Sequence, residues 1–402
     1  MPIIDARYYK TLVICPHKGM ASELAPVLAY GLPLAPVHIV SDYPSRRPLM
    51  DLLKKVDPKL CFLDFSTNLD MALATAAELQ TLNSALPVVA LLPGNNPDMI
   101  LRCLRQGAAD FLIRPFTSDQ IDAAVEKVAR QIPPPSARVG GAKTIAVFPA
   151  KGACGATTIA CNLAIQSKRL GSKKILLADL DPLTGTISFL LKLKSTYSFM
   201  DVLSRQGTLD ADLWKQMVTV YQGVDVLLSP ENLMDGFDEL TDAGPILDYA
   251  QALYETIIVD CGNSYTSWNL STALLSDEVV LVTTNELPAL QSTQRALAWF
   301  EQHRVEQPKI KVVVNRYERE IGLNSDVIST VLQTDVFQVI PADYEAVQRS
   351  QMEGKPLPSG SLAAKGVAAL ADKICVKREK SDQKKSSSLT GGFKSLFSRT
   401  GS

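Results

Sequence analysis

Short apolar runs rich in β-branched residues recur along this chain, and each is followed by a longer stretch with helical spacing. That alternation limits the fold more than any other feature. It specifies repeated strand–helix units whose strands pair in parallel. In the first third the runs are Thr11–Cys15, Val37–Val40, Leu60–Phe65, Pro87–Leu92 and Asp110–Ile113. The segment IPPPSARVGGA at 132–142 then breaks the pattern with three prolines and two glycines and reads as a linker. A second series follows: Thr144–Pro149, Lys174–Asp179, Thr256–Asp260, Glu278–Thr284, Lys311–Asn315 and Val336–Ile340. Six such strands suit a doubly wound sheet, whose ligand lies beyond the carboxyl ends of its strands. A chain of 402 residues also exceeds what one core usually serves. The expected division is therefore a domain at 1–131, the linker at 132–142, a domain at 143–376 and a tail at 377–402.

Charge and cysteine usage narrow the class. The net charge is −1, but from Lys377 onward seven Lys/Arg face two acids, so a basic tail follows a mildly acidic body. No basic patch precedes Lys377, which argues against nucleic acid as the partner. The seven cysteines are scattered without a C-x-x-C pair, which argues against a disulfide framework or a zinc site and fits a reducing cytosol. The N-terminus lacks an apolar signal segment, and no run is long enough to span a bilayer, so a cytoplasmic protein is expected.

The segment FPAKGACGATTIACNLA carries the chemistry. It follows a strand run and opens a helical one. Gly152 and Gly155 let the backbone curl so that successive N–H groups converge on phosphate oxygens, and the helix adds its positive end. Thr157 stands where a hydroxyl coordinates Mg²⁺, with Thr158 near an α-phosphate. Ala156 occupies the place of the usual lysine, and a degenerate, nucleotide-free turn is the competing reading.

KGACGATT (Lys151, Gly152, Ala153, Cys154, Gly155, Ala156, Thr157, Thr158) resembles the deviant Walker A box of the ParA/MinD superfamily, KGGxGKTT. In that family the first lysine, here Lys151, reaches the nucleotide of a dimer partner. LLADLDPLTG resembles the family's first switch segment, which implies that Asp181 orients or deprotonates the attacking water and that Asp179 and Asp181 lie near Mg²⁺. The family glutamine is Leu183 here. ETIIVDCGNS resembles the Walker B strand and second switch, which implies that Asp260 belongs to the outer shell of the metal. VVVNRYER and VIPADYEAV resemble the purine-recognition segments, so Asn315 and Arg316, with Pro341 to Asp343, are expected around adenine. ATP or ADP with Mg²⁺ is the implied ligand.

Within the superfamily the chain is most similar to the TadZ/CpaE group, which places tight-adherence (Flp) pilus machinery. GVDVLLSPEN, TTNELPALQSTQRALAWF and NRYER…IPADYEAVQRSQMEGKPL carry that similarity, together with the small residue at 156. It implies an ATP-gated homodimer acting as a scaffold for pilus or secretion proteins at the inner membrane or cell pole. One lost charge-assisted hydrogen bond weakens binding roughly ten- to a hundredfold, so at most slow hydrolysis is expected. The alternatives are a MinD- or ParA-like positioning ATPase for a division, flagellar or DNA cargo, and a response regulator with an output domain.

The first domain resembles a receiver of the flavodoxin-like α/β type. LCFLDF puts Asp64 at the phosphate-accepting position, and GAADFLIRPF resembles that fold's final strand segment. Cys15 and Pro16 replace the metal-binding acids, Leu92 the switch hydroxyl and Arg114 the lysine, so an unphosphorylated docking or dimerisation module is expected. In the tail, Phe393, Leu396 and Phe397 share one helical face beside Lys394 and Arg399 and resemble the membrane-targeting helix that ends MinD proteins. A flexible tail or a peptide for a protein groove are the other readings.

Overall fold

The computed structural model describes residues 6–131, 141–232, 240–320 and 323–375. The expected linker lies, up to residue 140, outside the described residues, and so does the tail with Phe393, Leu396 and Phe397.

The first domain runs β1 (Thr11–Ile14), α1 (Lys18–Gly31), β2 (Val37–Val40), α2 (Arg46–Val56), β3 (Leu60–Asp64), α3 (Leu69–Leu82), β4 (Val88–Leu92), α4 (Pro97–Arg105), β5 (Asp110–Ile113) and α5 (Ser118–Gln131). The sheet is parallel in the order β2-β1-β3-β4-β5, a common doubly wound order. Alternate residues of the central strands feed two cores. Val13, Phe62, Val89 and Leu91 pack under α1 and α5, while Leu12, Ile14, Leu63 and Ala90 pack on the opposite face. Burial on both faces explains why these strands read as continuous apolar runs. Asn68 and Asn96 start α3 and α4 by accepting from the N–H groups of Met71 and Asp98.

The second domain comprises β6 (Lys143–Pro149), α6 (Ala156–Arg169), β7 (Ile175–Asp179), α7 (Ile187–Leu191), α8 (Phe199–Ser204), α9 (Ala211–Met217), β8 (Val218–Tyr221), β9 (Val224–Leu227), α10 (Gly244–Leu253), β10 (Thr256–Asp260), α11 (Ser267–Leu275), β11 (Glu278–Thr283), α12 (Leu287–Gln302), β12 (Ile310–Tyr317), α13 (Ser325–Leu332), β13 (Val336–Pro341), α14 (Tyr344–Glu353) and α15 (Leu362–Cys375). Its sheet order is β13-β12-β11-β6-β10-β7-β9-β8. The sequence led to six strands, and the sheet has eight. The missed pair is an antiparallel hairpin, β8–β9, closed at Gln222 (φ +49) and Gly223 (φ +78), whose left-handed backbone suits a two-residue turn. Strand order diverges on either side of β6 and β10, so the loop after β6 opens into the crevice where such sheets bind ligands.

Among the described residues, two ionic contacts join the domains. Arg304, just past α12, donates to both oxygens of Asp122 on α5 at 2.6 and 2.7 Å and lies over the Tyr30 ring at 4.2 Å. Arg7 forks onto Asp248 of α10 with two contacts of 3.0 Å. Helix α12 descends from the carboxyl edge of the sheet, so its Arg304 end points away from the loop after β6.

Candidate nucleotide site

Strand β6 delivers the chain to the carboxyl edge, where the Ala150 N–H still pairs with the Val282 carbonyl at 2.8 Å. The loop then turns through two left-handed residues, Ala153 (φ +65) and Gly155 (φ +91), before α6 begins at Ala156. Left-handed backbone costs a non-glycine residue about 1–2 kcal/mol, so Ala153 carries strain that a glycine would not. Cys154 anchors the turn from below: its thiol is buried and donates to the Val282 carbonyl at 3.2 Å. From the side, the Asn315 amide donates to the Cys154 carbonyl at 2.9 Å. Asn315 reaches the loop because β12 is irregular there; its register with β13 shifts between Val314 and Tyr317, and Arg316 has φ +50. Lys151, Gly152 and Ala153 are exposed, and among the described residues Lys151 takes no hydrogen bond or ion pair. The result is a curled, braced loop leading into a helix start, a cradle of the kind that suits phosphate.

Carboxylates line the floor. Asp260 ends β10 directly opposite Asp179, which ends β7. Both are buried. Burial, then the Asp179 charge, push Asp260 well above the usual carboxylate range, while the Thr157 hydroxyl donates to it and pulls the other way. Burial raises Asp179 to about 7, against N–H groups of Ile187 and Asp181 that hold its oxygens at 3.1 and 3.3 Å. Carboxylates this reluctant to ionise gain from a nearby cation, and Thr157 with Asp260 fits one held mainly by phosphate. Among the described residues no three His, Cys, Asp or Glu side chains converge into a cage of their own.

Asp181 lies close enough for its charge to add to the rise of both carboxyls, and its own oxygens are held by its turn. One oxygen accepts from the N–H groups of Leu183 and Thr184 at 3.0 and 2.9 Å, and the other from the Thr184 hydroxyl at 2.6 Å. Its carboxyl carbon lies against the bare α-carbon of Gly262, which packs the loop after β7 onto the loop after β10. The Trp268 indole closes the same seam by donating to the Leu180 carbonyl at 2.8 Å.

Residues 142–312 match the family described as an AAA domain. The chain is 26% identical over 222 residues to the septum site-determining protein MinD of Synechocystis sp., covering 54% of this chain and 81% of that protein. It is 27% identical over 247 residues to MinD of Thermotoga maritima, covering 57% and 87%. Among solved structures, a ParA family ATPase of Chlorobium tepidum superposes with a TM-score of 0.52 at 23% identity over 57% of this chain and 98% of that one. MinD of Pyrococcus horikoshii, solved with Mg-ADP, gives 0.51 at 22% over 59% and 100%. The second domain is similar in sequence to MinD proteins and in fold to ParA- and MinD-type ATPases.

Against the ParA/MinD expectations, the fold brings Lys151 to Thr158, Asp179, Asp260 and Asn315 to one edge. Three of these residues also have partners within the fold. Asn315 spends an amide hydrogen on the loop itself, so it braces the phosphate cradle whatever it does for a base. Asp343 does not present a free carboxylate: its oxygens accept from the N–H groups of Ala346 at 3.4 Å and Ala363 at 3.3 Å, fixing the starts of α14 and α15. Asp181, expected to face water, is folded into its own turn. Pro341 ends β13 beside Asp343, and Arg316 is exposed next to Cys154. Sequence reasoning passed over Gln351, whose amide donates to the Thr158 hydroxyl at 3.3 Å, and Asn269, which clamps the loop after β10. Neither stands in a local motif that would announce it.

Proposed function

We propose that this chain binds ATP-Mg²⁺ at 151–158 and works as a nucleotide-gated dimer that positions or scaffolds a client machine, with slow hydrolysis or none. The observation that carries this reading is the braced phosphate loop whose Walker lysine is Ala156 while Lys151 stays exposed and unengaged. Backbone N–H groups, two threonines and the Asp260 carboxylate supply binding; Ala156 and Leu183 remove groups that would speed the chemistry. Lys151→Ala tests it directly. Ultracentrifugation with ATP-Mg²⁺ should give dimers for the natural sequence and monomers for the variant, and equal dimerisation would remove the cross-subunit role of Lys151.

The client we favour is a tight-adherence (Flp-type) pilus or secretion assembly. Its support is the small residue at 156 joined to a receiver-like first domain whose sheet order is that of flavodoxin-like folds. The basic, aromatic-tipped tail adds weak contact with the inner membrane at a cell pole. A MinD-like positioning role for another cargo has comparable support, because several relatives bear the MinD name. Co-purification with the pilus secretion ATPase, against co-purification with division proteins, separates the two.

A further inference from the structure

Each sheet ends in two edge strands, and β2 differs from the other three. β5 and β13 keep their side chains buried or half-buried, and β8 exposes only Val220. In β2, Val37, His38 and Ile39 are all exposed and Val40 alone is half-buried. The backbone of that edge is open as well. The Thr11 N–H donates to the Pro36 carbonyl at 2.8 Å and the Cys15 N–H to the Val40 carbonyl at 2.9 Å, so the even-numbered residues turn their peptide groups toward β1. By the alternation of a strand, Val37 and Ile39 turn theirs outward. Among the described residues those groups take no partner. A row of unpaired N–H and carbonyl groups is a template for another strand, and edges that stay single carry lysines, bulges or a cover. The segment LPLAPVHIVS, residues 32–41, holds no acid, lysine or arginine, and its prolines leave the outward N–H groups of Val37 and Ile39 intact.

The strand is its own complement. In an antiparallel pair about a twofold axis at His38, Val37 of one copy stands opposite Ile39 of the other. Both are outward-turned residues, so each such pair exchanges two N–H···O bonds and the twofold doubles them. The same register puts Val37 and Ile39 of both copies on one face, where the exposed apolar side chains cover each other. The two His38 side chains meet on the opposite face. No Lys, Arg, Asp or Glu on the strand selects an acidic or a basic partner, whereas the apolar pairs and the hydrogen-bond register match the strand itself.

We propose that β2 is an interface between two copies of this chain, which joins their five-stranded sheets edge to edge through Val37 and Ile39. It lies in the first domain and does not rest on the assignment of 151–158 as the nucleotide site. Four residues a side make a weak joint, so pairing belongs to concentrated protein. Sedimentation of the full chain in EDTA without nucleotide, from about 2 µM to about 200 µM, tests it. The mass of the natural sequence should rise from monomer toward dimer across that range. Ile39→Pro removes one outward N–H from each copy at a position where an edge strand tolerates proline. It should stay monomeric throughout, with an unchanged circular dichroism spectrum. Val37→Lys places on the strand the residue that blocks such edges, and it should also stay monomeric should the proline variant fail to fold. Lys151→Ala should associate like the natural chain. A natural sequence that remains monomeric at the highest concentration, or folded β2 variants that associate as it does, would overturn the proposal. Association lost in Lys151→Ala and kept in the β2 variants would place the contact in the second domain and overturn it equally.

Discussion

Asn315 and Gly155 fit each other as a bolt fits a slot: a Cβ on Gly155 would come within 2.5 Å of the Asn315 amide nitrogen that holds the Cys154 carbonyl. The close approach and the φ of +91 both demand glycine at 155. Gly155→Ala should therefore push Asn315 off the loop and lower nucleotide affinity at least about tenfold, with a folding cost of about 1–2 kcal/mol from the left-handed backbone alone. Calorimetry and a denaturant titration measure the two effects separately. An unchanged nucleotide affinity would mean that the braced loop is not the phosphate site.

The opposed carboxylates Asp179 and Asp260 give a second prediction. Both are buried, and the Asp179 charge adds to the rise at Asp260, so the pair weakens the fold for the sake of the site. Asp260→Asn keeps an oxygen that can accept from Thr157 and removes one of the two repelling charges. Without divalent cation and nucleotide the variant should be as stable as the natural protein or more so, by about 1 kcal/mol. In the same variant Mg²⁺-dependent nucleotide binding should fall. A thermal melt in EDTA and calorimetry with Mg²⁺ read the opposite signs. Loss of both stability and binding would make Asp260 a packing residue.

Asp64 is wholly buried, and its oxygens accept from the Ser66 N–H at 2.7 Å, the Ser66 hydroxyl at 2.6 Å and the Thr67 hydroxyl at 2.6 Å. Burial and the Asp64 charge raise the neighbouring Cys15 thiol to about 11, so no second anion stands ready for a cation there. Arg114 is turned away onto Glu23, with its Nε 2.8 Å from a carboxylate oxygen. Acetyl phosphate with Mg²⁺ should leave the first domain unmodified by intact mass. A mass gain that disappears in Asp64→Asn would reverse this expectation.

Legibility in the sequence followed how local each signal was. The phosphate loop could be read because glycine placement, a strand before it and two threonines after it lie within one short window. The strands bearing Asp179 and Asp260 announced themselves because burial on both faces leaves little but Val, Ile and Leu. The β8–β9 hairpin escaped because its edge strand is half exposed, as at Val220, and so short that alternation hardly registers. The commitments of Asp181, Asn315 and Asp343 were invisible for another reason. Residue type shows that a side chain can bond, and only the fold shows what it has already bonded to. Asn269 is the extreme case, a polar residue in an unremarked helix whose partners are two carbonyls of a preceding loop.

The domain interface was likewise beyond the sequence, since nothing local in Arg304 points to Asp122, 182 residues away. Its strength can be bounded. The ion pair is partly exposed, at 29% and 35% for the two side chains, which limits it to about 1 kcal/mol even with two hydrogen bonds. The contact of Arg304 with the Tyr30 ring adds about 0.5–1 kcal/mol. Arg304→Ala should accordingly weaken docking by about 1–2 kcal/mol, with the Arg7–Asp248 contact still in place. Trp299 is a built-in reporter, because it stacks on His303, the residue before Arg304, with ring centres 4.5 Å apart. The other two tryptophans, Trp214 and Trp268, are each 2% exposed inside the second domain and should contribute little to quenching. Acrylamide should quench tryptophan emission more strongly in Arg304→Ala than in the natural protein, and X-ray scattering should give a larger radius of gyration. Reversing the pair, Arg304→Asp with Asp122→Arg, should restore part of both signals, although a shorter carboxylate at 304 cannot cover Tyr30. If single and reversed variants scatter and quench like the natural protein, the contact does not hold the domains together, and the Arg7–Asp248 fork becomes the next residue pair to break.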